Sequence, residues 1–379
     1  MEEERLHFKN NIEQMTKIKD LVQFINDIAP YALQENYDNS GLITGNPDAE
    51  IAGVLVSLDC TETVIDEAIE LGCNVVLSHH PIVFKGLKSL TGKNYVERTV
   101  IKAIQNNISI LSCHTNLDNI LNGVNGKIAN KIGLINTQIL APKVGILKKL
   151  SFFVPESHLE GVSKAIHEAG AGQIGNYSDC AFRTRGTGTF TPNEKAQPFI
   201  GSTQKPSVEE EVKVEVLVPE TSVKAVMAAL KSSHPYEEVA YFLHALDNDH
   251  QAIGAGLVGE LTEPMETEMF LDHLKKTMEV AVIKHTSLIH SHISKVALCG
   301  GAGSFLTSAA IKSGAQLFIS ADFKYHEFFD TEERIIIADI GHYESEKYTI
   351  DLLIELISNN FTNFALHYTK RNTNPVLYR

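Results

Sequence analysis

The sequence predicts an α/β protein whose framework is interrupted by a smaller α+β domain, and three observations carry that prediction. Apolar strands alternate with amphipathic helices through the first 145 residues. A strand-turn-helix phrase occurs twice between about residues 146 and 248. The α/β alternation then resumes and runs to residue 379. The expected division is an α/β lobe over 1–145, an inserted domain over 146–248 and a second α/β lobe over 249–379.

Taken in order, Leu21, Phe24, Ile25 and Ile28 recur at helical spacing, so the segment from Leu21 to Ala32 is predicted helical. NYDNSGLITG follows as a turn-rich connection. IAGVLVSLD reads as a strand, TETVIDEAIELG as a helix and NVVLS as the next strand. Thr61 suits the amino-terminal cap of that helix, and Gly72 suits the left-handed position past its end. Strand, helix and strand form a βαβ unit, which requires parallel strands. Helix ERTVIKAIQNN and strand ISILS repeat the pattern and lead into CHTNLDN.

In the middle third, LSFFVPESHLEGVSKAIHEAG resembles VEVLVPETSVKAVMAAL, with Val154-Pro155-Glu156-Ser157 echoed by Val218-Pro219-Glu220-Thr221. Each copy reads as strand, turn and amphipathic helix, and Ser157 and Glu160 have the spacing of a capping box. Two such halves imply a ferredoxin-like α+β domain; chance similarity of two turns is the plainer alternative. Between them, TRGTGTFTPNEKAQPFIGSTQKP reads as a long hairpin or a mobile loop, being rich in Gly, Thr and Pro. Further on, KVALCGGAGSF reads as strand, glycine turn and helix start, and AQLFISADFKYHE as a strand running into a polar loop. RIIIADIGHYESEKYTIDLLIELI reads as strand, loop and long helix.

Composition narrows the function. A length of 379 residues suits two or three domains, and 43% hydrophobic with 21% charged residues suits a soluble globular protein. A net charge of −14 disfavours a nucleic-acid binder. The five cysteines are widely spaced without a C-x-x-C, which fits reduced cytosolic thiols rather than disulfides or a zinc ribbon. The start, MEEERLHFKN, lacks the apolar core of a signal peptide. No run of about 18 apolar residues is present to span a membrane. A cytoplasmic location is the expectation.

Ligand sites in parallel sheets lie outside the carboxyl ends of the strands. NVVLS is followed by His79 and His80, ISILS by His114 and Asp118, and RIIIADI by His342 and Glu346. His342 and Glu346 are four apart and share a face once a helix has begun. Each piece has a plainer reading: a turn for H-H-P, an exposed pair for H-x-x-x-E, a core histidine for His114 and a helix cap for Asp118. Their shared placement at strand ends favours one site. Imidazole and carboxylate together suit zinc, iron, manganese, cobalt or nickel rather than calcium or magnesium. Five or six such ligands exceed the needs of one tetrahedral ion and match two divalent ions about 3.5–4 Å apart.

The ordered set DNSGLITG, LSHHP, CHTNLDN, VALCGGAG, GHYESE and NTNP resembles the NIF-three-like family, also catalogued as GTP cyclohydrolase 1 type 2 homologues. The resemblance covers nearly the whole chain. It implies that His79, His80, Asp118, His342 and Glu346 bind two divalent metal ions with Glu346 as the bridge, and that His114 stands beside them to orient a ligand or substrate. It implies a NIF-three-like fold of two α/β lobes, with an inserted ferredoxin-like domain similar to PII-like trimeric regulators. It also implies a toroidal homohexamer whose metal sites face an internal cavity. SADFKYHE departs from the family's T-G-D-like turn: Asp322 and Lys324 remain but the glycine is absent, which puts the loop's shape in question. Lys324 and His326 in this loop are the candidate catalytic residues, for charge stabilisation or proton donation; an exposed loop histidine is the alternative for His326. GGAG at 300–303 offers N–H groups to an anion, and HPYEEVAY at 234–241 is a candidate ligand loop; both also read as ordinary turns.

The functional expectation is a metal-dependent hydrolase of a nucleotide-like or phosphorylated small molecule, with GTP ring-opening as one candidate. The alternative is a non-catalytic metal-binding regulator or metal-trafficking protein, with the insert gating the cavity.

Overall fold

The computed structural model describes residues 15–379; the amino-terminal stretch read as lacking a signal segment lies outside the described residues. The chain forms two compact units, one from Met1–Ala141 with Ile253–Arg379 and the other from Pro142–Ala252. Before the insertion come β1 (Gly41–Thr44), β2 (Gly53–Ser57), β3 (Val75–Ser78), β4 (Ser109–Ser112) and β5 (Leu134–Pro142). The inserted unit carries β6 (Leu147–Pro155), β7 (Ala181–Phe190), β8 (Ser207–Pro219) and β9 (Tyr241–Leu246). The chain then resumes with β10 (Gly254–Glu266), β11 (Lys284–His285), β12 (His292–Ala302), β13 (Leu317–Ala321), β14 (Ile336–Asp339) and β15 (Ala365–Tyr368).

The larger unit holds two sheets. One has the order β1-β4-β3-β2-β15, parallel except for β1 at its edge. The other has the order β11-β14-β13-β12-β10-β5, with β12, β13 and β14 parallel. β15 comes from the far end of the chain yet lies beside β2, so the first sheet draws strands from both segments read as separate lobes. Val54, Val56, Val75, Leu77 and Leu111 of that sheet share one core with Val296, Leu298, Leu317, Ile319, Ile336 and Ala338 of the other. The opposite faces are covered too: Leu55, Val76 and Ile110 pack with Val64, Ile65 and Val100, while Ala297, Phe318 and Ile337 pack with Leu306 and Ala310. Burial on both faces explains why these strands read as unbroken apolar runs. Helix Glu62–Glu70 begins and ends as its sequence predicts, with Thr61 Oγ1 accepting from Val64 N–H at 3.4 Å and Gly72 at φ +70°.

The inserted unit runs strand, helix, strand, strand, helix, strand, in the antiparallel order β7-β8-β6-β9, a split β-α-β arrangement. Leu150, Phe152, Val154 and the alternating valines 212 to 218 of β8 pack against Val162, Ile166, Val226 and Leu230 of its two helices. The Gly- and Thr-rich stretch forms a hairpin, closed where Phe190 pairs with Ser207. The expected capping box does not form, because Ser157 Oγ bonds His158 Nδ1 at 3.0 Å and Glu160 pairs with Arg183. Among the described residues, no helix is long and apolar enough to cross a membrane.

Candidate metal centre

Past the end of β3, His79 N–H donates to Ser57 O at 3.2 Å and His80 N–H to Leu58 O at 2.9 Å, so the strand's pairing fixes both backbones. The His79 ring is fully buried. Its Nδ1 lies 2.8 Å from Cys113 O; a carbonyl only accepts, so Nδ1 carries the proton. The lone pair on Nε2 therefore faces Asp118 Oδ1 at 3.6 Å and Glu346 Oε1 at 3.9 Å. Burial pushes the His79 pKa down to about 3, keeping this imidazole neutral. His80 is held differently, with Nδ1 2.8 Å from Asp59 Oδ1 and Nε2 3.0 Å from Glu346 Oε2. His342 repeats the pattern, with Nδ1 2.7 Å from Asp322 Oδ2 and Nε2 3.1 Å from Glu346 Oε2 and 3.3 Å from His80 Nε2. Three imidazoles thus have Nδ1 fixed by an oxygen and Nε2 turned to a common centre, the usual arrangement of metal-binding histidines.

The carboxylates complete the centre. Asp118 ends the short helix Thr115–Asp118, and burial together with the nearby Glu346 charge raises its pKa well above the carboxylate range. Burial alone would raise Glu346 as well, but hydrogen bonds from His342 and His80 outweigh it and hold its carboxyl well below that range. Those same bonds overcome the opposing effect of burial on the two rings. With Asp59 they push His80 up to about 10, and with Asp322 they push His342 up to about 9. Gly301 makes room for all this: a Cβ there would collide with Glu346 Oε1 and stand 3.2 Å from His342 Cε1. The glycines at 300 and 301 continue β12 and their N–H groups are taken, by Asn125 Oδ1 and Ser345 Oγ at 2.9 Å each. The anion cradle expected at GGAG is therefore not formed by these two residues.

A metal fits these donors. His79 Nε2 and Asp118 Oδ1 are buried without any hydrogen-bond partner, an arrangement that costs energy unless something bridges them. Donor atoms of His79, Asp118 and Glu346 lie within 4.8 Å of one another, as do those of His80, His342 and Glu346 and those of His79, His80 and His114. Glu346 belongs to the first two groups, the place of a shared carboxylate. His114 has its own anchor: Nδ1 lies 2.8 Å from Asp38 Oδ1, and Asp38 is buried and accepts Thr115 N–H at 3.0 Å. The five expected ligands and His114 are therefore brought together.

The family model described as Duf34/NIF3 (NGG1p interacting factor 3) matches residues 16–375. The chain belongs to the Duf34/NIF3 family. A relative from Halalkalibacterium halodurans, named GTP cyclohydrolase 1 type 2 homolog, is 40% identical over 324 residues, 85% of this chain and 87% of its own. One of the same name from Staphylococcus epidermidis is 32% identical over 96% of this chain and 100% of its own. The crystal structure of a Bacillus cereus protein related to NIF3 superposes with a TM-score of 0.84 at 34% identity, covering 97% of this chain and 100% of that one.

In this member of the family the candidate metal centre opens into a cavity of about 1360 Å³. Tyr37, Phe84, Tyr95, Phe305 and Tyr378 line it, all with large exposed surface. Among the described residues, Lys284 is the single Lys or Arg in its lining, and it is tied to Asp339 at 2.7 Å. The carboxyl-terminal segment braces the wall: Thr373 Oγ1 donates to Asp59 Oδ2 at 2.6 Å, and Asn374 Nδ2 to Glu344 Oε1 at 2.9 Å. Lys324 and His326 do not join the centre. Both are exposed and outside the cavity lining, and the His326 ring rests on Tyr325, 5.2 Å between centroids. Asp322 does take part despite the missing glycine, adopting φ +58°. Sequence reasoning missed Asp38, Asp59 and Lys284. Asp59 follows β2 directly and was open to the same strand-end argument that found the histidines.

Proposed function

We propose that this NIF3 protein is a hydrolase that uses two divalent metal ions on a small nucleotide-like or phosphorylated molecule. The observation that carries the reading is the Asp38–His114 pair, an acid/base unit beside the metal ligands that the two Glu346-containing groups do not need. His79 with Asp118 and His80 with His342 would hold the ions, Glu346 serving both. Divalent ions there supply Lewis-acid polarisation of the bond attacked and lower the pKa of water. Asp38 fixes the tautomer of His114, leaving its other ring nitrogen to hold or move a proton at the substrate. The aromatic walls offer stacking faces to a planar ring, and Lys284 offers a cation to an anionic group. GTP, suggested by the relatives' name, is one candidate; with one lysine in the lining, a triphosphate would depend on the metals for charge balance. A cytoplasmic toroidal homohexamer is the assembly we propose, to be checked by light scattering for six times the 41.8 kDa chain.

The test is a screen of metal-loaded protein against nucleotides and phosphate esters, repeated with His114→Gln and His80→Ala. His114→Gln should retain metal and lose about 10²–10⁴-fold in kcat, whereas His80→Ala should lose metal and activity together. Full turnover in metal-loaded His114→Gln would remove the acid/base role. An absence of turnover on every substrate would favour the metal-regulator or trafficking reading.

A further inference from the structure

The inserted unit contains a second cavity, of about 680 Å³, unconnected with the metal chemistry. On β8 the valines 212 to 218 face the helices, so the alternate residues Glu211 and Lys213 project to the opposite face. Gly186 pairs with Glu211 across β7 and β8, and Gly188 lies in the same row. Neither glycine fills the space above it, and a Cβ on Gly188 would collide with the Glu211 carboxylate. Phe190 and Phe199 stand 6.4 and 6.2 Å from the Tyr236 ring, and Phe153 completes an aromatic wall. Residues 191–200 cover one side, tied down where Gln197 N–H donates to Glu237 Oε1 at 2.9 Å.

The charges are arranged unequally. Arg185 and Lys213 line the cavity and each already faces a carboxylate, Arg185 that of Glu156 and Lys213 that of Glu215. Among the described residues, Glu211 has no cation partner. Beside it, Tyr236 Oη is buried and makes no hydrogen bond of good geometry. Aromatic faces are negative, so they add to the field of the carboxylate rather than offset it. HPYEEVAY, already singled out as a candidate ligand loop, contributes Tyr236, Glu237 and Glu238 to the lining.

We infer that this cavity binds a small organic cation, with an ammonium or amidinium group at Glu211 and an aromatic or aliphatic body against Phe153, Phe190, Phe199 and Tyr236. An anionic ligand of the same size would meet Glu211, Glu237 and Glu238, and among the described residues the lining's Arg185 and Lys213 each already face another carboxylate.

The experiment titrates phenethylamine and benzamidine into the full-length protein by calorimetry, with phenethyl alcohol and benzoate as neutral and anionic controls. Saturable binding of the two cations, absence of benzoate binding, and at least about tenfold weakening in Glu211→Gln are expected. Phe199→Ala, at an exposed position where folding is not at stake, should weaken the cations too. Metal content should match wild type in both variants. Benzoate binding as tightly as phenethylamine would overturn the inference, as would unchanged cation affinity in either variant. Failure of both cations to bind by about 10 mM would also overturn it.

Discussion

At the candidate metal centre, neighbouring imidazoles start from different protonation states. Without a bound cation His79 is neutral at pH 7, being held down to about 3, while His80 and His342 are protonated, having been pushed up to about 10 and 9. An imidazole must be neutral to coordinate, so metal has to expel those protons. Adding Zn²⁺ to chelator-stripped protein in weak buffer at pH 7 should release protons from His80 and His342, about two per chain, and more where the raised Asp118 carboxyl also gives one up, and affinity should rise with pH. A titration with no acid release would contradict this. The sign for stability is opposite in the stripped protein. Raised folded pKa values for His80 and His342 stabilise it fully below their unfolded value of about 6.5 and are lost as pH rises through 9 to 10. The melting temperature of stripped protein should therefore fall between pH 7 and 10. At the same scale, Asp59→Asn and Asp322→Asn should weaken metal binding by about 10–100-fold, read by competition with a chelating dye. Glu346→Ala should bring elemental analysis down from about two ions per chain. The clustering of the candidate ligands was legible because strand ends place them. The roles of Asp38 and Asp322 were not, because Asp38–His114 and Asp322–His342 meet only after folding.

At the scale of elements, β12 shows why a glycine motif resists reading by analogy. GGAG suggested an anion-binding turn, whereas the strand continues to Ala302 and Gly301 accommodates the Glu346 carboxylate. That contact links residues 45 positions apart and leaves no local signature. Gly301→Ala should destabilise by about 1–2 kcal/mol from its φ of +60° alone and displace Glu346 as well. Circular-dichroism melting with metal analysis checks both; wild-type metal content in this variant would show that Glu346 has room to move. Helix Glu62–Glu70 was legible from both ends because its cap and terminal glycine act locally. The Ser157–Glu160 box was misread because the neighbouring His158 took the serine hydroxyl and a tertiary partner, Arg183, took the glutamate.

At the scale of the molecule, the insertion leaves and re-enters through neighbouring strands. β5 and β10 adjoin in the second sheet, with Gly256 beside Leu140 and Gly259 beside Leu134 and Thr137, so they run in opposite directions. A short turn can join such strands. We predict that replacing residues 142–252 by a two- to four-residue turn of the kind hairpins use, on the order of Asn-Gly, leaves a folded, metal-binding protein. Insoluble product without metal would show the inserted unit to be required for folding. The alternation of strands and helices was legible along the chain, but the sharing of one core by both sheets was not. Periodicity reports that a face is apolar without naming what covers it.

The centre takes Asp118 from one side of the insertion and His342 from the other. During translation those residues emerge roughly 220 positions apart, which at about 5–20 residues per second is about 10–45 s. For that interval the nascent chain carries His79, His80 and Asp118 without the glutamate that joins the two ligand groups. The two donor groups that share Glu346 can therefore be complete only late in synthesis, whereas the group of His79, His80 and His114 emerges early. Chains arrested on the ribosome before residue 342 should keep less radioactive zinc per chain through gel filtration than the released full chain, because only the latter has the groups that share Glu346.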